Sequence, residues 1–342
     1  AAGGIVGYNN GSIKNSFNNG NATGYGDYLG GIVGENIKDI FDSYNKGEIK
    51  GKGYDTVTGG ITGINDSGNI NNVYNSIVGQ NYSGTLSNAY NTGTINGNGS
   101  EYVGGIAAIN DGEIKNVYNI GKVSGGDYRN VIVVENSGAV SNAYYGSGTL
   151  LTLAEFGKDF EKGLDTASKD SWKFYNGYTD PLLEGFLKKI TIDGDSITGG
   201  DTVYNGSEQN AGLSGLADGI LVGSKKNAGD YDLNDLLYSG QDGYDIEIVN
   251  DGTKFIINKA QLTVTADGFE IDANSVLPDF TGSISGLVGG ERWEDLGVEL
   301  DIDLHFTTDA DGKTAGKFAI NGSLDKTLAN YEIKQADSNA AA

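Results

Sequence analysis

The stretch GGIVGENIKDIFDSYNKGEIKG, residues 30–51, contains a pattern that occurs six times in the first half of the chain. An isoleucine opens each copy, and a second aliphatic residue follows eight or nine positions later. An Asn or Asp comes two positions after that, and an aromatic residue comes two positions further on. The four sets are Ile5, Ile32, Ile61, Ile77, Ile106 and Ile132; Ile13, Ile40, Ile70, Leu86, Ile114 and Val140; Asn15, Asp42, Asn72, Asn88, Asn116 and Asn142; and Phe17, Tyr44, Tyr74, Tyr90, Tyr118 and Tyr144. Such self-similarity is the signature of a repeat architecture.

One copy is shorter than the others. The spacings between successive opening isoleucines are 27, 29, 16, 29 and 26 residues. Four copies continue after the aromatic residue with an arm of the form Gly-x-aliphatic, as in Gly47-Glu48-Ile49. The third copy has no arm, so it is either a truncated repeat or a place where the repeats are misaligned.

The pattern predicts short strands that stack on one another. Apolar residues two positions apart, as in Ile13 to Phe17, suit a strand whose side chains alternate between two faces. The segments are too short and too rich in glycine for helices. One repeat cannot bury its own apolar face, but stacked repeats can. We therefore predict a parallel β-helix over residues 1–150, with stacked Asn amides at the fixed Asn position and with loops 20–29, 50–58, 96–103 and 124–130 at one corner.

Three segments carry a family resemblance: GGIVGYNNGSIKNSFNNGNATG (3–24), GGIVGENIKDIFDSYNKGEIKG (30–51) and GGIAAINDGEIKNVYNIGKVSG (104–125). They resemble the GLUG repeat of large bacterial secreted and surface proteins, and the array covers 1–149. The segment SWKFYNGYTDPLL (171–183) resembles the Trp-containing tail that often closes such arrays.

Composition changes near residue 150. Of the 35 Asn residues, 24 lie in 1–149, where the net charge is −4, whereas residues 150–342 carry −19. Leu153, Phe156 and Phe160 have a helical spacing, which predicts a short amphipathic helix that covers the open end of the solenoid. We assign 151–187 to this capping helix and a linker.

From residue 188 onward, the pattern predicts strands separated by Asp-Gly, Gly-Gly and Asn-Gly turns, which is typical of β-sandwich-like modules. The predicted strands include 190–192, 244–249, 254–257, 262–265 and 298–303. Through VYNGSEQ (203–209), SKKNAGDYDLNDLLYSGQDGYDIEI (224–248) and TKFIINKAQLTV (253–264), residues 188–258 resemble YDG-type modules. Residues 259–338 resemble the MBG module, mostly β and Gly-rich, through LTVTA (262–266), DFTG (279–282) and GLVGG (286–290). The segment FEIDAN (269–274) departs from that family, whose members usually carry a Tyr-Gly pair there.

Composition also excludes several classes of function. The net charge is −23 and there are two Arg residues, which argues against nucleic acid because phosphates require clustered Lys and Arg. The chain has no Cys and therefore no thiolate. It has one His, which argues against a His-based zinc site or a Ser–His–Asp triad. No apolar run is long enough to span a bilayer, so we expect membrane contact only through other parts of a parent protein.

Acidic pairs are candidates for calcium ligands. Asp193 with Asp195, and Asp301 with Asp303, alternate so that each pair would point to one side of a strand. They could supply oxygen ligands to Ca²⁺ or simply be solvated strand faces. Paired carboxylates for glycoside hydrolysis are conceivable in so acidic a chain, but chance pairs are expected.

Other candidates have ordinary structural interpretations. His305 alternates with Leu304 and Phe306, so we predict a strand residue rather than a metal ligand. Trp172 and Trp293 could stack on sugars, although anchoring a core is the commoner role. The tyrosines at the fixed aromatic position could bind glycans, but their periodicity favours a packing stripe. The basic residues Lys14, Lys50 and Lys115 are scattered, and GYGDYLGG (24–31) lacks the following helix that a dinucleotide site requires.

We therefore predict no catalytic, cofactor-binding or metal-binding residue and no enzymatic activity. The resemblances imply a non-catalytic part of a large bacterial adhesin, secreted or on the cell surface, that serves as a rigid stalk and binds glycans or proteins of host or bacterial surfaces. One alternative is a carbohydrate-active β-helix or an accessory region of a secreted protease, and another is a pure spacer. The chain begins without Met and ends in three Ala residues, so we expect a fragment of a longer protein, with 339–342 as a cloning scar.

Overall fold

The computed structural model describes residues 1–341 except for 54, 76, 98–99, 147–152, 176, 194–200, 214 and 250–251. The chain is mostly β, as the sequence predicts. Contacts divide it into two compact units. Unit 1 comprises Ala1–Ile190 with Ser239–Asp245, and unit 2 comprises Thr191–Tyr238 with Ile246–Ala342.

Within the described residues, the repeats of unit 1 form 22 short strands. In chain order these are β1 (Ala2–Gly3), β2 (Val6–Asn9), β3 (Ile13–Lys14), β4 (Phe17–Asn18), β5 (Ala22–Gly24), β6 (Tyr28–Gly30), β7 (Val33–Asn36), β8 (Ile40–Asn45), β9 (Ile49–Gly51), β10 (Val57–Gly59), β11 (Thr62–Asn65), β12 (Asn69–Tyr74), β13 (Val78–Asn81), β14 (Thr85–Asn91), β15 (Ile95–Gly97), β16 (Tyr102–Gly104), β17 (Ala107–Asn110), β18 (Glu113–Asn119), β19 (Val123–Gly125), β20 (Tyr128–Asn130), β21 (Val133–Asn136) and β22 (Ala139–Tyr145).

The strands pair in parallel, in most cases with the equivalent strand of a neighbouring repeat. One sheet has the order β2-β7-β11-β13-β17-β21, and a second has β3-β8-β12-β14-β18-β22. The register places Ile70 opposite Ile40 and Leu86, and Tyr90 opposite Tyr74 and Tyr118. Each repeat is therefore one rung of a parallel β-helix, and the fold prediction is confirmed.

The interior of the β-helix is built from the aliphatic positions of the repeat. The fully buried residues that share this core include Ile32, Val33, Ile40, Ile61, Ile70, Val73, Val78, Leu86, Ile106, Ile114 and Val117. Because equivalent residues lie one strand spacing apart, each aliphatic side chain stacks on its neighbour above and below.

A Gly-Gly pair precedes four of the six opening isoleucines, and it has a steric cause. A β-carbon added at Gly30 would lie 1.8 Å from the carbonyl oxygen of Val33, and one at Gly104 would lie 1.6 Å from that of Ala107. Where the pair occurs, the chain folds back so closely that only glycine fits.

The loops that the sequence placed at one corner do lie between equivalent strands. They connect β5 with β6, β9 with β10, β15 with β16, and β19 with β20. Of these loops, residues 54 and 98–99 lie outside the described part of the chain.

Unit 1 continues with two helices and a hairpin that cover the aromatic side of the β-helix. These elements are α1 (Leu153–Gly163), α2 (Thr166–Lys169), β23 (Trp172–Lys173) and β24 (Leu182–Leu183), followed by a 3-10 turn at Glu184–Phe186. The predicted helix is present, but its position differs from the prediction. Phe156 and Phe160 pack against Tyr118 and Tyr144, beside the last two rungs. Val140 in the last rung is 37% exposed, because the aromatic rings of α1 pack on the tyrosines at the side of the solenoid and not on its end.

The later strands and the last helix are β25 (Lys188–Asp193), β26 (Thr202–Val203), β27 (Gln209–Asn210), β28 (Leu221–Val222), β29 (Ser224–Lys225), β30 (Gly229–Asp232), β31 (Leu237–Tyr238), β32 (Tyr244–Val249), β33 (Lys254–Asn258), β34 (Ala260–Ala266), β35 (Gly282–Ser285), α3 (Leu300–Asp303), β36 (Leu304–Thr308), β37 (Ile320–Leu324) and β38 (Tyr331–Gln335). Further 3-10 turns lie at Leu233–Asp235, Trp293–Leu296 and Asp337–Ala341. In unit 2 the strands form small sheets, of which β26-β33-β30 and β35-β34-β38 have three strands.

Hydrogen bonds connect the two halves of unit 2. The hydroxyls of Tyr204 and Tyr331 both donate to the carboxylate of Glu291, and the two rings meet edge to face at 5.4 Å. Near the end of the chain, Asn339 is buried and donates to the carbonyl of Val264, which fastens the last turn to β34.

One predicted strand is wrong. Residues 298–303 were expected to be extended, but Leu300–Asp303 is a helical turn. The carboxylate of Asp303 accepts a hydrogen bond from the amide of Glu299 at 2.8 Å, and the amide of Asp303 donates to the carbonyl of Glu299 at 2.7 Å. These local bonds compete successfully with the strand that the alternation suggested.

Candidate functional site: a cleft at the third rung

The third rung is a truncated repeat, and the repeats are not misaligned there. Its strands β11 and β12 pair with those of the second and fourth rungs in register. The chain then passes from Tyr74 at the end of β12 to Val78 at the start of β13 without forming an arm. Asn75, which directly follows β12, has a φ of 50°, a left-handed conformation that Asn tolerates.

The missing arm leaves a gap in two sheets. The arm strands pair as β5-β9 and as β15-β19, and no described strand lies between β9 and β15. Similarly, β10 ends the sheet β1-β6-β10, while β16 pairs with β20. We call the space between these edges the third-rung cleft.

The third-rung cleft has a volume of about 290 Å³. Its polar lining includes Asn45, Thr58, Asn91 and Asn96, and its apolar lining includes Ile49, Ile77, Ile95 and Val103. A smaller extension of about 50 Å³ continues past Lys50 and Ser100. A concave site with mixed polar and apolar walls is the usual form of a ligand pocket.

Three equivalent glycines show that the cleft is open. A β-carbon added at Gly47 would lie 1.9 Å from the carbonyl oxygen of Gly20 in the preceding rung, and one at Gly121 would lie 2.0 Å from that of Gly93. At Gly93, whose preceding rung has no arm, the nearest atom would be 3.5 Å away. The arm backbone that lies against Gly47 and Gly121 has no counterpart in the third rung, next to Gly93.

The charges at the cleft are few. Glu48 is the one carboxylate among the described lining residues, whereas Lys46 and Lys50 are the ammonium groups. Lys46 is already engaged, since its Nζ lies 2.5 Å from Asp242 Oδ2 and 4.9 Å from the centre of the Tyr44 ring. Burial, followed by the charges of Glu101 and Glu135, raises the pKa of Tyr102 to about 12.

The aromatic column, comprising Phe17, Tyr44, Tyr74, Tyr90, Tyr118 and Tyr144, is a packing stripe. The rings of Tyr44, Tyr74, Tyr90 and Tyr118 are stacked with centroids 4.6 to 5.5 Å apart. Trp172 covers the column, is 4% exposed, and donates from Nε1 to Asn88 Oδ1 at 3.2 Å. Most of the ring faces are therefore occupied, and Trp172 is the core anchor that the sequence predicted.

The hydroxyl edge of the aromatic column borders a second cavity of about 430 Å³. There the hydroxyl of Tyr74 donates to Asp242 at 2.7 Å, that of Tyr90 to Gln241 at 2.7 Å, and that of Tyr118 to the carbonyl of Pro181 at 2.6 Å. Burial raises the pKa of Asp180, which also lines this cavity. These bonds fasten the segment Ser239–Asp245 and β24 to the β-helix within unit 1.

The other residues singled out in the sequence do not form one site. Asp301 is exposed and Asp303 is buried on a helical turn, so the pair does not share a strand face. Asp195 lies outside the described residues, as does the side chain of Asp193. Within the described part of the chain no group of three His, Cys, Asp or Glu residues could hold a metal.

His305 lies on β36 as predicted, with Nε2 3.0 Å from Asp325. Trp293 is half-buried on a 3-10 turn. Lys14, Lys50 and Lys115 lie on three different strands, β3, β9 and β18. The glycine-rich segment 24–31 leads from β5 through β6 and on towards strand β7, without a helix.

Sequence reasoning placed the amide stack at the wrong asparagines. The fixed Asn or Asp after the second aliphatic residue has a positive φ of 46° to 53°, and its amides connect only some rungs, such as Asn72 to Asp42 at 3.1 Å. The continuous asparagine ladder is Asn9, Asn36, Asn65, Asn81, Asn110 and Asn136, in which each Nδ2 donates to the next Oδ1 at 2.6 to 2.9 Å. These residues follow each opening isoleucine by four positions, a signal that the sequence contains.

The fold and the cleft define a class: a parallel β-helix with stacked side-chain ladders, joined to small β-modules. Within this chain, residues 262–340 are similar to the MBG domain (YGX type) family. Comparison with curated proteins and with solved structures finds no match. Where members of the MBG family usually carry a Tyr-Gly pair, the Phe269 ring here packs edge to face on Phe280 at 5.5 Å.

Among the described helices none is long and apolar enough to cross a membrane.

Proposed function

We propose that this chain is a non-catalytic segment of a large bacterial cell-surface or secreted adhesin, in which the β-helix is a rigid spacer and the third-rung cleft binds a surface glycan or protein. The observation that carries this proposal is the asparagine ladder, which runs through all six rungs. Buried amides that bond from rung to rung resist bending and sliding of the rungs, because any displacement leaves buried donors and acceptors unpaired.

Family similarity supports a surface location. Residues 262–340 are similar to the MBG domain, which occurs in large surface proteins. The resemblance of 1–149 to GLUG repeats points the same way. An acidic chain without Cys, with a net charge of −23, also suits export and folding outside the cell.

The chemistry of the cleft favours binding over catalysis. Glycoside hydrolysis uses two carboxyl groups, about 5 to 10 Å apart. Glu48 is the one carboxylate in the described lining of the cleft, and the other polar and apolar groups there are the ammonium groups of Lys46 and Lys50, amides, hydroxyls and aliphatic side chains. Such a lining can recognise a ligand by hydrogen bonds and apolar contact without transferring a proton in a transition state.

Adhesion of the whole chain tests the proposal. Beads coated with the 342-residue chain should be retained on bacterial or epithelial surfaces, and a glycan array or a surface-protein panel should give reproducible binding. Filling the third-rung cleft by mutation should abolish that retention. Turnover of any member of a polysaccharide panel would overturn the non-catalytic assignment. If the chain binds none of the surfaces tested, the proposed binding role is wrong and only the spacer role stands.

A further inference from the structure

We propose that the third-rung cleft binds an extended polypeptide segment of a partner protein, which enters as the missing arm strand. This inference rests on the proposed function of the cleft as a binding site and specifies its ligand. The partner segment has the chemistry of the arms themselves, with an amide residue, a glycine two positions later and an aliphatic residue two positions after that. The arms 45–51 and 91–97 are examples of this pattern.

The width of the cleft fits one strand. The arm strands β9 and β15 belong to the second and fourth rungs, with none described between them. Adjacent strands in a sheet lie about 4.8 Å apart, so the two edges are separated by about 9.6 Å. A single inserted strand would lie at hydrogen-bonding distance from both edges.

The backbone groups of both edges are placed for this strand. The amide of Ala22 donates to the carbonyl of Glu48 at 2.9 Å, and the amide of Ile95 donates to that of Lys122 at 2.7 Å. In a parallel ladder, successive residues direct their amides and carbonyls to opposite sides. The groups of Ile49 on β9, of Thr94 just before β15 and of Asn96 on β15 therefore face the cleft.

The side-chain columns also stop at the cleft and resume beyond it. Asn18 Nδ2 donates to Asn45 Oδ1 at 3.0 Å, and Asn91 Nδ2 donates to Asn119 Oδ1 at 2.9 Å. Between these pairs lies Asn75, which lines the cleft and whose Oδ1 accepts from the hydroxyl of Thr92 at 3.1 Å. An incoming amide would join the two pairs, and an incoming aliphatic residue four positions later would stack between Ile49 and Ile95.

This geometry favours a polypeptide over a glycan. Strand addition supplies affinity through main-chain hydrogen bonds and specificity through alternate side chains. A glycan has no amide and carbonyl groups at the strand repeat, so it would leave much of both edges unpaired. The open space above Gly93 is the place where the glycine of an inserted arm would lie.

Peptide binding to the whole chain tests the inference. The probe is the acetylated and amidated heptapeptide Asn-Thr-Gly-Thr-Ile-Asn-Gly, and we expect saturable 1:1 binding by calorimetry. The first control peptide is a scrambled version. The second replaces the Ile with Pro, which removes one main-chain donor and should weaken binding about tenfold or more.

A filled variant locates the binding site. The third repeat spans 16 residues and the fourth spans 29, so a 13-residue copy of 93–105 inserted between Ser76 and Ile77 restores the missing arm. We expect this variant to bind the peptide at least about tenfold more weakly than the parent chain. The matched control is a Gly-Ser insertion of equal length between Gly126 and Asp127, which should bind as the parent does.

The outcomes separate the two proposals. The strand assignment is overturned by absence of saturable peptide binding up to about 1 mM, by equal binding of the scrambled peptide, or by undiminished binding to the filled variant. If the peptide fails but a glycan binds the parent and not the filled variant, the ligand class is wrong while the proposed function stands. If the chain also adheres to no surface, the proposed binding function fails as well.

Discussion

At the scale of single residues, the space around each arm glycine depends on whether the preceding rung has an arm. The arm glycines look equivalent in their local sequence, because Gly47 and Gly93 both follow an Asn by two positions and precede an Ile by two. The structure separates them because the rung before Gly93 lacks an arm. Periodicity thus predicted the shared conformation of these residues, whereas the surroundings of each depend on the length of a different repeat.

Two glycine substitutions should therefore differ. Gly47→Ala brings a methyl group to 1.9 Å from a backbone oxygen and should lower the free energy of unfolding by about 3 kcal/mol. Gly93→Ala, with 3.5 Å of clearance, should leave it unchanged or raise it by about 0.5 kcal/mol. Urea unfolding of both variants measures the difference. Equal destabilisation would mean that the third-rung cleft is closed in solution.

Asp180 allows a prediction about pH. Burial raises its pKa, so the folded state favours the neutral carboxyl group. The stability that this group provides is fully present below its unfolded pKa of about 3.9 and is lost as the pH rises through the folded pKa. Asp180→Asn should therefore be more stable than the parent chain at pH 7, and the difference should shrink towards pH 4.

Thermal unfolding across this pH range measures the effect of Asp180. The exposed Asp170 provides a control in the same segment, because Asp170→Asn should change stability little at either pH. A lower stability of Asp180→Asn at pH 7 would contradict the assignment of the shift to burial.

At the scale of secondary structure elements, the strands were predictable and the placement of α1 was not. The spacing of Phe156 and Phe160 correctly predicted a helix. It could not tell which surface the helix covers, because the exposed end of a solenoid and its aromatic side both offer apolar area. The choice follows from tertiary packing, since Phe160 meets Trp172 at 4.9 Å and Tyr118 at 5.6 Å.

Phe160 should therefore anchor α1. Phe160→Ala removes a fully buried ring and should lower the free energy of unfolding of unit 1 by about 3 to 5 kcal/mol. Phe17→Ala, at a ring that is 56% exposed in the first rung, should cost less than about 1.5 kcal/mol. Chemical denaturation followed by tryptophan fluorescence compares the two, because Trp172 adjoins Phe160. Similar losses would show that α1 contributes little to the stability of the β-helix.

At the scale of the whole molecule, most of the negative charge is not paired with Lys or Arg in the described ion pairs. The net charge is −23, and described ion pairs such as Lys46 with Asp242 are few and partly exposed. Uncompensated like charge opposes the compact state, and salt screens it over a distance of about 10 Å at 0.1 M.

Salt should consequently stabilise the chain. We expect the melting temperature to rise by about 3 °C between 10 mM and 300 mM NaCl. MgCl₂ and CaCl₂ at equal ionic strength give the control for specific binding. Equal effects of the two divalent salts would indicate screening alone, an additional rise with CaCl₂ would reveal a calcium site, and a melting temperature that falls with NaCl would contradict the prediction.

The sequence by itself determined the β-helix and the columns of isoleucine and tyrosine, because a period of 26 to 29 residues in all but one repeat specifies which side chains stack. Tertiary structure decided which asparagines form the continuous ladder, where α1 packs, and that the short repeat opens a cleft between two strand edges. Those outcomes depend on contacts between residues far apart in the chain, whose distances and free surfaces a periodic pattern does not encode.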